Sequence, residues 1–253
     1  MCSGIEGLFG VEGKVALVTG GRRGLGKAMS LALARAGASV VTVAKSADAP
    51  TVDSSLAQRM DYLQADLLDR QGRAGLIDQV VQRFGRIDIL VNNAGLQEKA
   101  PIAEYPQRQW DDDLELMLTA VFDLSRRAAE TMAKQGGGKI VHIASVSSFQ
   151  AARNIVGYTT AKHGLVGLTK AMANEWAPLN INVNAIAPGV FETDMAKGFL
   201  EDPKRAAEMK GRIPAGRFGR PEDLVGPLLF LVSEASRHVH GHVLLVDGGW
   251  MGR

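Results

Sequence analysis

In Tyr158-Thr-Thr-Ala-Lys162, a phenol and an ammonium stand four residues apart, so a helix over this stretch places them one turn apart on one face. A phenol is a poor acid or base at neutral pH, and a nearby cation favours the phenolate and lowers its pKa. The pair is therefore a candidate proton donor to a carbonyl oxygen. Ser145, just upstream, follows the fifth apolar run. A Tyr-x-x-x-Lys match also arises by chance in many chains of this length, so the assignment depends on where the fold puts it.

A second constellation lies near the start. Thr19-Gly-Gly-Arg-Arg-Gly-Leu-Gly26 follows the first apolar run and precedes a helical pattern. Gly20, Gly24 and Gly26, with Leu25 between the last two, would permit a tight turn, the approach of a pyrophosphate and close packing of helix on strand, the helix N-terminus facing the anion. Glycines at helix starts are often only structural; a strand before and a helix after favour the dinucleotide reading. In such a site the residue ending the second strand chooses the cofactor, because an acid there accepts bonds from the adenosine ribose and repels a 2′-phosphate. Here that strand ends Val43-Ala44-Lys45, with no carboxylate. Lys45, and Arg23 from the first turn beside Arg22, would clamp a 2′-phosphate between them, which predicts NADP over NAD. The competing reading is that all three basic groups are solvated surface. An oxidised nicotinamide would join Lys162 in favouring the Tyr158 phenolate.

The elements that must position these groups follow from the apolar pattern. Runs at 14–19, 39–44, 61–65, 87–91, 139–144, 181–187 and 242–246 are candidate strands, most of them apolar on both faces, as expected when helices cover both sides of a parallel sheet. Helical spacing fills 25–36, 69–84, 107–134, 158–177 and 221–233, the last opening on Pro221. The alternation predicts an α/β fold, a Rossmann-like doubly wound sheet of seven parallel strands with right-handed crossovers, built as one domain over 1–253. Residues 1–12, with the lone Cys2, read as a flexible tail. Residues 188–220 break the rhythm, carry Met195, Phe199 and Leu200 among many charges, and read as a substrate lid; a plain surface excursion is the alternative.

Composition narrows the partners. In 253 residues, 29 basic and 27 acidic side chains leave a net charge of +2, which argues against a nucleic-acid or membrane-surface binder. One cysteine allows no disulfide framework within the chain, and no apolar stretch approaches the ~20 residues that span a bilayer. The expectation is a cytoplasmic protein acting on a small molecule.

Taken together, the glycine turn, Asn92-Asn-Ala-Gly95 after the fourth strand, Ser145 ahead of Tyr158-x-x-x-Lys162, Asn184-Ala-Ile-Ala-Pro188-Gly189 and Val246-Asp-Gly-Gly249 resemble the short-chain dehydrogenase/reductase family, from Leu8 to Arg253. The segments 144–150, 172–177, 213–219 and 247–250 are similar to the branch that oxidises sugar acids, the 2-dehydro-3-deoxygluconate and gluconate dehydrogenases. The resemblance implies that Tyr158 is the catalytic acid/base, that Lys162 holds the nicotinamide ribose and lowers the phenol's pKa, and that Ser145 bonds the substrate oxygen. It implies that Asp66, with Leu67 beside it, faces the adenine, that Asn92, Asn93, Ala94 and Gly95 support the cofactor, and that Thr193, following Pro188 and Gly189, bonds the carboxamide. It implies a homotetramer or homodimer. Gln150, Arg153 and Asn154 lie where hydroxyls or a carboxylate of the substrate would dock; a solvated loop cation is the alternative for Arg153.

One position departs from the family. In Trp110-Asp-Asp-Asp-Leu-Glu-Leu-Met117, the methionine stands where the family carries an asparagine thought to bend the helix, so that its carbonyl holds a water linking the lysine to solvent. Methionine cannot make those bonds. Either backbone and water survive and turnover falls modestly, or the cofactor pocket persists with turnover impaired. His142 reads as a core histidine and His163 as a helix-surface group; His238, His240 and His242, without carboxylates, predict no metal. Three functions remain open: an NADP-dependent oxidoreductase of a small polar substrate such as a sugar acid, a carbonyl reductase of acyl or other ketones, and a cofactor-binding protein with impaired turnover.

Overall fold

The seven predicted strands all form, and all pair in parallel: β1 Val15–Thr19, β2 Ser39–Ala44, β3 Met60–Gln64, β4 Ile89–Asn92, β5 Gly138–Ile143, β6 Ile181–Pro188 and β7 Val243–Val246. They are seen in a computed structural model that describes residues 4–196 and 201–253. The sheet order is β3-β2-β1-β4-β5-β6-β7, so the strand order reverses between β1 and β4, where a doubly wound sheet opens its ligand crevice. Every residue of β1, β4 and β6 is buried, which accounts for their largely apolar make-up.

Helices cover both faces. Leu17, Val41, Leu90 and Ile140 of the strands pack with Leu76, Ile77, Leu124 and Met172 on one side. Val18, Val40, Val91 and Ile143 pack with Met29, Leu33, Leu228 and Leu231 on the other. The described helices are α1 Gly4–Phe9, α2 Gly24–Arg35, α3 Arg70–Ala74, α4 Leu76–Phe84, α5 Gln107–Leu114, α6 Ala120–Lys134, α7 Val156–Trp176, α8 Pro203–Gly211 and α9 Val225–Val232.

Several predicted helices differ from the observed ones for local reasons. The stretch 69–84 breaks at Gly75 into α3 and α4, with the Asp69 carboxylate capping the Gln71 N–H at 3.0 Å. The stretch 107–134 is interrupted by a π turn, Glu115–Thr119, between α5 and α6. The stretch after Pro221 begins as a 3-10 turn, Pro221–Leu224, before α9.

Order also starts earlier than expected of a tail reaching residue 12: α1 is helical and Val11 is buried in the core beside α2. Cys2 lies outside the described residues, as do Lys197, Phe199 and Leu200 of the 188–220 excursion. That excursion is tied at its neck, where Gly219 N–H donates to the Val190 carbonyl at 2.9 Å and Glu192 N–H to the Gly219 carbonyl at 2.8 Å. It contains the unanticipated α8, capped by Asp202, and it buries Ile213 and Phe218 against Val146 and Trp250. Among the described residues no helix is long and apolar enough to cross a membrane.

Candidate active site

The carboxyl ends of β1, β4, β5 and β6 converge on one crevice. At β1, Thr19 leads into the glycine turn, and its hydroxyl accepts the N–H groups of Asn93 and Ala94 at 2.9 and 3.0 Å. The Asn93 amide donates to the carbonyls of Thr19 and Gly20 at 2.9 and 3.2 Å, so the two loops at the strand reversal are stitched together. Gly20 has a left-handed φ of 66°, and a Cβ there would meet Asn93 and Ala94. Arg23, the N-cap of α2, makes no side-chain cap bond and the first turn holds no acid. Neither the N-cap nor an acid of the first turn claims the N–H groups opening this helix, the arrangement that accepts a phosphate. A dinucleotide fits this cradle. Thr193, on the loop after Pro188 and Gly189, faces Gly24 across it, its methyl 3.7 Å from where a Gly24 Cβ would sit.

The adenosine end holds a correction. The sequence reading leaves Lys45 and Arg23 without an opposing acid, yet Lys45 Nζ pairs with Asp66 at 2.8 Å and Arg23 with Asp194 at 3.2 Å. Asp66 is the residue expected at the adenine; the strand pairing of β2 with β3 brings their ends together, and neighbours in the sheet are invisible in a linear reading. The Lys45 pair lowers the Asp66 carboxyl and raises the Lys45 ammonium. Both cations are largely exposed, so the pairs are weak and open to exchange for a stronger anion. Arg22 instead donates to the Asp48 carbonyl at 3.2 Å, and the Leu67 carbonyl accepts a bond from Arg73 at 2.8 Å.

The reactive groups sit at the end of β5. Ser145 caps a 3-10 turn, its hydroxyl accepting Ser147 N–H at 3.0 Å, and it lies beside the Tyr158 phenol, whose pKa it lowers. Tyr158 and Lys162 share the buried face of α7, with the Lys162 ammonium 5.6 Å from the centre of the Tyr158 ring. That ammonium donates to the Ile143 carbonyl at 2.6 Å, a partner no side-chain pattern could reveal. Burial pushes Lys162 down to about 8. Burial also pushes the Tyr158 phenol up, opposed by the neighbouring Ser145 hydroxyl, where the sequence predicts a lowered value.

The other expected residues divide. Ala44 ends β2, where its carbonyl accepts Tyr62 OH at 3.2 Å. Gly95 lies against the Met117 sulfur. The Asn92 side chain turns away beneath the sheet, donating to Ser125 at 3.0 Å, and so supports the fold rather than the crevice. Ser125 continues to His142, which bonds Thr169 at 2.9 Å and is pushed down to about 3 by burial, the core histidine expected. Gln150, Arg153 and Asn154 form the loop into α7, with Arg153 and Asn154 exposed. Asn154 takes a left-handed φ of 66°, and its carbonyl accepts Ala100 N–H at 3.0 Å. His240 is held by the Asn182 amide at 3.1 Å, and among the described residues no three metal-ligating side chains gather.

Met117 is fully buried against Ile155, Tyr158 and Ala161, inside the π turn. The helix irregularity ascribed to an asparagine therefore exists without one, which favours the milder of the two readings. Met117→Asn is expected to raise kcat by no more than about tenfold. It should lower stability by about 1–3 kcal/mol, since the amide enters an apolar pocket. Steady-state rates and urea unfolding check both; a rise of several hundredfold would mean that the turn alone is not enough.

Residues 20–251 match the family described as enoyl-(acyl carrier protein) reductase. The chain is 47% identical to the 2-dehydro-3-deoxy-D-gluconate 5-dehydrogenase of Escherichia coli (strain K12), over 97% of this chain and 98% of that protein. A structure assigned to an NAD(P)-dependent gluconate 5-dehydrogenase of Beutenbergia cavernae, with NADP bound at low occupancy, superposes with a TM-score of 0.93 at 42% identity, covering 97% of this chain and all of that one. The gluconate 5-dehydrogenase of Burkholderia cenocepacia J2315, in complex with NADP and tartrate, gives 0.91 at 35% identity, covering 97% and 98%. With the sheet order, the glycine cradle and the Ser145–Tyr158–Lys162 grouping at β5 in agreement, the chain belongs to the short-chain dehydrogenase/reductase family, oxidoreductases acting on CH–OH groups.

Proposed function

We propose that the protein is an NADP(H)-preferring oxidoreductase that interconverts a hydroxyl and a ketone on a small sugar acid. The observation that carries the reading is the grouping of Ser145, Tyr158 and Lys162 at the end of β5, all three buried, with the Lys162 ammonium 5.6 Å from the centre of the Tyr158 ring. Bound over the glycine turn, a nicotinamide cofactor supplies or receives the hydride. Tyr158 takes the hydroxyl proton in oxidation and returns it in reduction, and Ser145 holds the same oxygen as charge develops on it. Lys162 holds the nicotinamide ribose and adds positive charge beside the phenol. Arg153, exposed on the loop into α7, docks the carboxylate, with Gln150 and Asn154 near the hydroxyls, and 188–220 closes over the substrate as a lid. The charged make-up of that lid and the sugar-acid names of the relatives favour this substrate class over acyl ketones.

The cofactor preference rests on Lys45 and Arg23, whose exposed acid partners Asp66 and Asp194 yield to a 2′-phosphate dianion. Fluorescence titration with NADPH and NADH in parallel should give at least about tenfold tighter NADPH binding, and Lys45→Asp should reverse the order by placing like charges at the ribose. Equal affinities in the unaltered protein would overturn the clamp. Gluconate or 2-dehydro-3-deoxygluconate turned over with NADP+, against a panel of acyl ketones, tests the substrate class.

A homotetramer or homodimer fits the apolar groove between α6 and α7, floored by Gly164 and Gly167 and flanked by Leu118 and the exposed Phe122, a property light scattering reads directly. A phosphorylated dinucleotide does not cross membranes, so the reading places the enzyme in the cytoplasm.

A further inference from the structure

The π turn has a second peculiarity besides Met117: it is gripped from outside by two arginines. Its widened ring is closed by Ala120 N–H donating to the Glu115 carbonyl, so Glu115 opens it. The Glu115 carboxylate takes two bonds from Arg70, at 2.9 and 2.6 Å, and a third contact from Arg73 at 2.6 Å. Arg73 is 1% exposed, a fully buried guanidinium. It also holds Asp123 of α6, beyond the turn, at 2.5 Å, and donates to the Leu67 carbonyl at 2.8 Å. One planar cation thus spans both sides of the π turn and the loop following β3. That loop carries Asp66, whose carboxylate pairs with Lys45. On its other side the turn carries Met117 against Tyr158 and Gly95.

A π turn is costlier than the helix it interrupts and persists where surrounding contacts impose it. Methionine offers no hydrogen bond to impose it here. We infer that Glu115 is the positioning residue that replaces that missing bond: clamped by Arg70 and Arg73, it fixes the π turn beneath Tyr158 and ties it to the Asp66–Leu67 loop at the adenosine end. The inference rests on the oxidoreductase reading for its kinetic arm and on cofactor binding alone for its other arm.

Glu115→Gln keeps the shape and removes the charge, while Arg73 retains Asp123 and Leu67, so the core stays paired. Arg126→Ala, which removes an exposed pair with Glu130 on α6, serves as the control. The expected result for Glu115→Gln is a kcat lower by about tenfold, because small displacements at a reacting centre are costly, with KM for the sugar acid within about twofold. NADPH affinity should fall about fivefold through the shared guanidinium. Arg126→Ala should change none of these. Arg70→Gln, at an exposed position, should show the same pattern at smaller size and serves if Glu115→Gln does not fold. Unchanged kcat and NADPH affinity in the folded variants overturns the clamp, as does a matching loss in Arg126→Ala. Were the unaltered protein to bind NADPH but turn over no sugar acid, the substrate reading would fail while the affinity arm still decided the clamp.

Discussion

Tyr158→Phe is expected to lower turnover by about 10²–10⁴-fold while leaving the protein folded and NADPH affinity within about twofold. The phenyl ring keeps the packing against Met117, Ile155 and Ala161, so the change removes one oxygen and little else. Two groups decide the pH dependence. Burial holds the Tyr158 phenol above its ordinary value, so for oxidation, which needs the phenolate to accept a proton, the rate of the unaltered enzyme rises with pH. Lys162, lowered to about 8, gives up its charge within that climb, and with it the support it lends the phenolate, so the rise flattens above that pH. Tyr158→Phe should abolish the rising limb along with the rate. Stopped-flow and steady-state measurements over this range check it. Intact turnover, or a surviving rise with pH, would mean that the proton passes through another group.

Most of what positions Tyr158 was legible from residue types because it depends on short-range pattern. Parallel strands buried on both faces announce themselves as unbroken apolar runs, and the strand–glycine–helix succession at Thr19–Gly26 carries its own explanation. What escaped depends on contacts between distant segments. The acid nearest Lys45 in sequence is Asp48, but its partner is Asp66, which only the pairing of β2 with β3 delivers to within 2.8 Å. Arg73 reads as an ordinary polar position on a helix, since an arginine's burial is set by the two carboxylates, Glu115 and Asp123, that the fold brings to it. The π turn leaves no trace in a periodicity that tolerates one extra residue, and α8 is a short helix with no buried residue, whose apolar pattern is too weak to register. The raised Tyr158 phenol has the same origin, since its burial is set by Met117, Ile155 and Ala161, which the fold packs around it.

The other large effect is expected at Gly26, and it separates two reasons for glycine in one turn. Gly24 needs its freedom for torsion: its φ is 53°, while the space around it is open, with the Thr193 methyl 3.7 Å from a Cβ. Gly26 needs it for space. A Cβ there would overlap the Gly20 carbonyl oxygen and stand 2.9 Å from the Gly20 carbonyl carbon and 2.5 Å from the Asn93 amide nitrogen. Backbone cannot swing aside as a side-chain end would, so Gly26→Ala must push α2 off the turn, at about 1–3 kcal/mol of overpacking. The same shift withdraws the N-terminal N–H groups of α2 from the phosphates and pulls on the Asn93 stitch to Thr19. NADPH affinity should therefore fall by about 10²-fold or more, a larger loss than the folding penalty alone implies. Gly24→Asn, a residue that tolerates left-handed backbone, should lose only about threefold to tenfold. Titration of both variants, with urea unfolding alongside, decides the matter: a Gly26→Ala protein that binds NADPH as well as Gly24→Asn does would show that the helix end is not what holds the phosphates.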